Sequence, residues 1–195
     1  MKKVVITLSK KIVLGIIIAI ILILTFSFIR GYNKLVGLDE TIDRNYHEIE
    51  NRLQQRSDKI AQIVASVSGL EEHEKAIYDR IMAARMAYQN AKSTEDLIEA
   101  DAAQASAFSS FLVVVEDNPN LVAQAGFLTL MDEISLTEAS LFVSRRDYNE
   151  AVLKYNNQVR RFPYMLYQSM FNFQKSYTYW KMNDGASEVP NIDFS

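Results

Sequence analysis

The chain has no cysteine, which excludes disulfides, thiolate metal sites, thiol catalysis and lipid attachment through a cysteine. It has only two histidines, His47 and His73, and neither stands in a pattern that metal chemistry requires. A di-iron bundle needs paired Glu-x-x-His sets on facing helices, but the residues three places before these histidines are Arg44 and Leu70. Zinc lacks both thiols and a His-x-x-x-His pair. There is no Gly-x-Ser-x-Gly elbow and no glycine-rich phosphate loop. No catalytic, cofactor-binding or metal-ligating residue is therefore expected, and no enzyme. The group Glu71, Glu72, His73, Glu74 reads as a solvated helix start. Glycine (6) and proline (3) are scarce for 195 residues, which disfavours a turn-rich β architecture and leaves long helices.

The net charge of −3 hides an asymmetry. Lys2, Lys3, Lys10, Lys11 and Arg30 are basic, and no acidic residue accompanies them in the first 30 positions. The remaining 16 basic residues face 24 acidic ones, so residues 31 to 195 carry −8. No basic stripe with interleaved aromatics is present, and a body this acidic repels a phosphate backbone, so nucleic acid is not an expected partner.

Residues Ile12 to Ile29 contain no charge. At about 1.5 Å per residue, 18 residues span roughly 27 Å, close to the thickness of a hydrocarbon core. A cleaved signal peptide has a shorter apolar stretch and a small-residue exit; here the exit reads Thr25-Phe26-Ser27-Phe28-Ile29-Arg30. A retained single-pass signal anchor is the expectation. Four lysines and the α-amino group precede it, against Arg30 and Lys34 just after. The positive-inside rule then puts the N-terminus in the cytoplasm and the body outside.

Beyond the anchor, Leu35, Ile42, Tyr46, Ile49, Leu53, Ile60, Ile63, Val67 and Leu70 recur by threes and fours, a coiled-coil-like heptad seam interrupted at Arg56. No proline breaks residues 12 to 68, so the helix is expected to run from bilayer into water, weakest at Gly31 and Gly37. Ser68-Gly69 should end it, and a second helix should run to about Ala91. Ser93-Thr94-Glu95-Asp96 resembles an N-cap cluster opening a third, with a straight-through helix as the alternative. Phe108 to Val115 is expected to be the third helix's most buried part, and Asn118-Pro119 to cap the next. That last long helix, about 120 to 162, carries a seam from Phe127 through Leu141, Tyr148 and Tyr155 to Phe162. Tyr164 to Trp180 should pack back as a shorter helix before a tail.

The expected fold is all-α. It is an antiparallel up-and-down bundle of four helices, or three long ones, behind a transmembrane helix. Its segments are a basic flank (1–11), the anchor (12–30), the bundle (31–163) and an aromatic segment with tail (164–195). Charged residues near the seams invite buried pairing: Arg56 and Asp58, Arg85, Glu116, then Glu138, Arg145 and Arg146. Against this stands ordinary surface pairing, which is worth about 0 to 1 kcal/mol.

Several runs resemble the LemA family of bacterial membrane proteins: Tyr32-Asn33-Lys34-Leu35-Val36, Leu53 to Asp58, Gly69 with His73-Glu74, and Ala84-Arg85. The second half continues in order with Glu116, Pro119 and Leu121, Thr137-Glu138, Arg145 to Val152 (which holds Tyr148 and Asn149), Tyr155-Asn156, Phe162-Pro163, Val189-Pro190 and Asp193-Phe194. The chain departs where the family reads Ile-Pro-Asn-Leu-Val and this sequence reads Ile60-Ala61-Gln62-Ile63-Val64, which favours a straighter helix. It departs again at Thr137-Glu138-Ala139, where the family has Thr-Glu-Asn. The resemblance implies a four-helix bundle behind an anchor in a bacterial envelope, and no reaction. It also implies an outward N-terminus, against which the lysine count is kept.

Three functional readings follow. The first is a non-enzymatic, membrane-tethered interaction or scaffold module with a protein partner in the envelope. The second is a ligand-binding sensor with a pocket lined by Arg56, Arg85, Arg145 and aromatics of 164–180. The third is an enzyme with Glu116 or Glu138 as base, which requires one of them buried beside a cavity.

Overall fold

A computed structural model describes residues 2–66, 75–117 and 126–181, with side chains from residue 10 onward. Among the described residues there are five helices and no strand: α1 Lys2–Ser66, α2 Lys75–Asn90, α3 Thr94–Asp117, α4 Phe127–Val159 and α5 Tyr164–Phe171. The expected helix boundary at Ser68-Gly69, the acidic start around His73, the Asn118-Pro119 cap and the closing Val189-Pro190 lie outside the described residues.

Helix α1 is continuous from the apolar span into the heptad seam. Leu35, Ile42, Ile49, Leu53, Ile60 and Ile63 are all buried, and Arg56 is buried with them. The Ile60-Ala61-Gln62-Ile63-Val64 stretch is helical throughout, as expected where no proline removes a backbone donor. Helices α2 and α3 are separate, so the straight-through alternative is excluded. Ser93 Oγ accepts from the Asp96 N–H at 3.1 Å, and Asp96 Oδ2 accepts from the Ser93 and Lys92 N–H groups at 3.0 and 2.9 Å. This reciprocal box satisfies orphan donors at the start of α3. The backbone and Ser93 donors hold the Asp96 carboxyl below its ordinary pKa.

Burial on α3 differs from the expectation of one buried stretch near its end. Leu97, Ala100, Asp101, Gln104, Ala107, Phe111 and Val115 are buried while Val113 is exposed, a stripe of threes and fours along the whole helix. Helix α4 ends at Val159, not near 162. The Arg161 N–H turns back to the Gln158 carbonyl at 3.1 Å, because Pro163 disfavours helical geometry in the residue before it. Phe162, read as the last seam position, is 78% exposed as a result.

The described chain divides into two compact units, to both of which α1 and α4 contribute. One comprises residues 1–42 with 151–177. Its contacts centre on Tyr167, which packs on Gly31 and edge-on to Phe28 at 4.9 Å, and on Tyr155, edge-on to Tyr177 at 5.0 Å. The other comprises residues 43–150 with 178–195. Its apolar core draws on four helices: Ile60, Ile63 and Val64 of α1, Ile81 and Ala84 of α2, Phe111 and Val115 of α3, and Phe127 and Ile134 of α4.

The aromatic segment is helical only through Phe171. Asn172 caps α5 in the left-handed region (φ 56°), and from there to Lys181 the chain is non-helical.

Candidate functional site

Four helical side chains form a charge cluster in the second unit. Arg56 is 2% exposed and its guanidinium is held on three sides. Nη2 donates to Asp101 Oδ1 at 2.7 Å and to the Asp101 carbonyl at 3.1 Å. Nη1 donates to Glu138 Oε2 at 2.8 Å and Nε to Gln104 Oε1 at 3.2 Å. Arg145 completes it from α4, donating to Asp101 Oδ1 at 2.6 Å and Glu138 Oε1 at 3.2 Å. Two guanidiniums and two carboxylates make the cluster formally neutral. That is how charges survive removal from water, since an isolated one costs several kcal/mol.

The cluster is graded in exposure. The Asp101 side chain is 4% exposed and that of Glu138 is 47%. Burial opposes ionisation of Glu138, but the Arg56 and Arg145 guanidiniums outweigh it and hold its pKa below the ordinary carboxylate value. A charged, acceptor-only carboxylate so engaged is a poor general base. The linkage has a definite sign: the stability Glu138 contributes is present above its ordinary pKa and is lost as pH falls through the depressed folded value. Glu138→Gln is expected to lower the melting temperature near neutral pH and to flatten the acid side of the stability profile. Calorimetry from pH 7 down to pH 3 checks this; an acid limb identical to that of the parent would contradict it.

Asp101 has a third partner, outside the helices. Trp180 Nε1 donates to Asp101 Oδ2 at 3.0 Å, and Trp180 is itself 2% exposed and edge-on to Tyr148. Asn149 grips the Trp180 backbone in both directions, its Nδ2 donating to the carbonyl at 2.9 Å and its Oδ1 accepting from the N–H at 2.7 Å. Tyr148 OH donates to the Thr178 carbonyl at 3.1 Å. Burial, then the neighbouring Tyr46 and Glu95, push the Tyr148 pKa up to about 12, so it stays a donor throughout the physiological range. The same doublet recurs seven residues on, within the other unit. Asn156 exchanges hydrogen bonds with the Tyr177 backbone at 3.0 and 2.9 Å, and Tyr155 OH donates to the Gln174 carbonyl at 2.8 Å. Tyr155 is likewise raised to about 12 by burial and by Asp39.

The remaining sequence candidates are dispersed. Asp58 accepts from Arg85 at 3.1 Å in a half-exposed pair. Arg146 is exposed and, among the described residues, bonds its neighbour Asp147. Glu116 is exposed, so it does not meet the requirement of a base buried beside a cavity. Arg85 lines a cavity of about 10 Å³ with Ser57 and Gln104, about the size of one water. An open groove of about 450 Å³ runs between α2 and α3, lined by Arg80, Ser106 and alanines. None of Arg56, Arg85, Arg145 or the 164–180 aromatics lines that groove. Among the described residues no group of three His, Asp or Glu is placed to hold a metal ion.

Sequence reading identified Arg56, Glu138 and Arg145 but missed Asp101, Gln104 and Trp180. The signal for the first two was present. Leu97, Ala100, Ala107 and Phe111 define an apolar stripe, and Asp101 and Gln104 are the polar positions within it. Trp180 carried no such signal, because no periodicity marks a non-helical segment.

These features define an all-helical protein led by an apolar helix of membrane-spanning length, with a neutral charge cluster buried in its body. The LemA family model matches residues 45–194, and the chain belongs to the LemA family. The match begins after the apolar span, so membership rests on the helical body. No curated protein matches the chain.

Proposed function

We propose that the protein is a non-enzymatic, membrane-anchored helical module that presents a rigid surface to a protein partner in the bacterial envelope. The anchor is supported by α1, whose apolar window has a mean hydropathy of 3.2 and none of it buried by the rest of the chain. Fourteen large aliphatic or aromatic side chains from Ile12 to Ile29 left to water would be a severe aggregation liability, and lipid removes it. Helix α3 also reaches a mean hydropathy of 1.3 over membrane length. Its buried stripe and Asp101 mark it as a core helix of the body.

One observation carries the partner reading. On the outer face of α4, Leu136 (69% exposed), Phe142 (52%) and Val143 (42%) stand at helical spacing with Ala139 between them. An exposed apolar strip of this kind, at i, i+3, i+6 and i+7, is what a partner helix packs against. We place the N-terminus in the cytoplasm from the lysine count, and the three-residue link between α2 and α3 supports an up-and-down order for the body.

A photo-crosslinker placed at the exposed Ala139, between Leu136 and Phe142, in native membranes tests this. The expected result is one recurrent protein adduct that disappears when both residues are changed to serine. Adducts to lipid alone, or adducts insensitive to those substitutions elsewhere on the strip, would remove the support for a partner. Protease added outside wall-stripped cells is expected to digest the body; full protection would reverse the orientation.

A further inference from the structure

Helix α5 has two unlike faces. Tyr167 is 3% exposed and sits against Gly31, where an added Cβ would fall 2.6 to 2.9 Å from its ring. Phe171 packs edge-on to Tyr32 at 4.9 Å and tilted on Phe28 at 6.0 Å. Tyr164 lies under Lys34 Nζ at 5.7 Å. The helix is thereby pinned along residues 28 to 34 of α1, at the last turn of the apolar span and the first turn beyond it. Its other face is apolar and uncovered: Phe162 is 78% exposed, Met165 52%, Leu166 47% and Met170 66%. Met165, Leu166 and Met170 lie on one side of the helix, and Phe162 stands just before its first turn.

The charges carried by this segment itself are of one sign, and the nearest acidic contact is at its far end, where Tyr177 OH donates to Asp39 at 2.7 Å. Residues 160 to 177 hold Arg160, Arg161 and Lys175 and no acidic residue, and Arg30 and Lys34 add to them from α1, in a chain whose residues 31 to 195 carry −8 overall. An apolar stripe rimmed by cations, with tyrosines beside it, is the composition of an element lying in a bilayer interface.

We infer that α5 is a second membrane-contacting element: a short interfacial helix whose Met165, Leu166 and Met170, with Phe162 just before it, enter the acyl boundary while Arg160, Arg161 and Arg30 meet anionic headgroups. Its occupant is the lipid surrounding the anchor, because the opposite face of α5 is held against the end of the span, where Phe28 packs on Tyr167 and Phe171. The anchor thus leaves the bilayer with a collar against it, and Gly31 is the residue that lets Tyr167 seat. The inference rests on residues 12–29 lying in lipid.

The test uses the full chain in vesicles of phosphatidylcholine and phosphatidylglycerol, with nitroxide labels introduced one at a time as Met170→Cys, Ile20→Cys and Leu136→Cys; the absence of native cysteine makes each label unique. The expected oxygen-over-nickel accessibility is highest at 20, several-fold above the aqueous value at 170, and aqueous at 136. An aqueous value at 170 with a lipid value at 20 overturns the collar and leaves the anchor standing. Aqueous values at both overturn the anchor and the collar together. Protection at 170 from both reagents, increasing with protein-to-lipid ratio, would mean a second copy covers the stripe and would also overturn it.

Discussion

Asp101→Ala is expected to be the most damaging single substitution in the helical body, lowering stability by roughly 3 to 5 kcal/mol. The reason is what the change leaves behind. Arg56 is 2% exposed and would keep only Gln104, the residue 101 carbonyl and the more exposed Glu138 as partners. Arg145 would lose its 2.6 Å contact, and Trp180 Nε1 its acceptor. For a chain of this size the loss corresponds to a fall in melting temperature of roughly 6 to 20 °C. Circular dichroism melts of the chain in lipid nanodiscs check it. Replacing Arg56 and Arg145 with Met alongside Asp101→Leu and Glu138→Leu is expected to recover most of the loss, since a buried ion network exchanged whole for apolar side chains is often neutral. If Asp101→Ala melts within about 1 kcal/mol of the parent, the cluster is of the surface type, worth little.

The second large effect concerns the span. Its fourteen Ile, Leu, Val and Phe side chains favour insertion by about 0.3 to 0.6 kcal/mol each, some 4 to 8 kcal/mol in all, while a lysine near the bilayer centre costs about 2.5 to 3.5 kcal/mol. One lysine is therefore insufficient to expel the helix and three exceed its driving force. Ile17→Lys, Ile20→Lys and Ile23→Lys together are expected to move the protein from the alkali-resistant membrane pellet to the supernatant, whereas Ile20→Lys alone stays in the pellet. All three isoleucines are about half or more exposed, so the helical spectrum of the body should not change. A triple variant still resisting alkaline extraction would refute the insertion estimate.

Much of this was legible before any coordinates. The α1 seam from Leu35 to Ile63 and the α4 seam from Phe127 to Tyr155 follow from spacing alone, because burial on one helical face imposes a period near 3.6. The Ser93–Asp96 box was legible because capping chemistry is local. Arg56 was visible as a polar residue in an apolar row, but its partners were not. Which carboxylate answers it depends on how helices 45 to 82 residues away pack around it, and Asp58, closer in sequence, pairs instead with Arg85. The non-helical course beyond Phe171 was illegible for a different reason. There the backbone carbonyls and N–H groups of Gln174, Tyr177, Thr178 and Trp180 are satisfied by tyrosine and asparagine side chains of α4. Helical propensity lost to tertiary hydrogen bonds, and only the Tyr-Asn doublet repeated at 148 and 155 hinted at it. The collar helix was hidden similarly. Its exposed stripe is short, and its meaning comes from Gly31 and Phe28, more than a hundred residues earlier in the chain.

The account stands on residues 12–29 remaining part of the mature protein and lying in lipid while the helical body stands in water. The direct measurement is the intact mass of the chain recovered from alkali-washed membranes of the cell that makes it. A species in the pellet whose mass and peptides retain Ile12 to Ile29 is the predicted result. A shorter species beginning near Phe28 and found in the soluble fraction would contradict it.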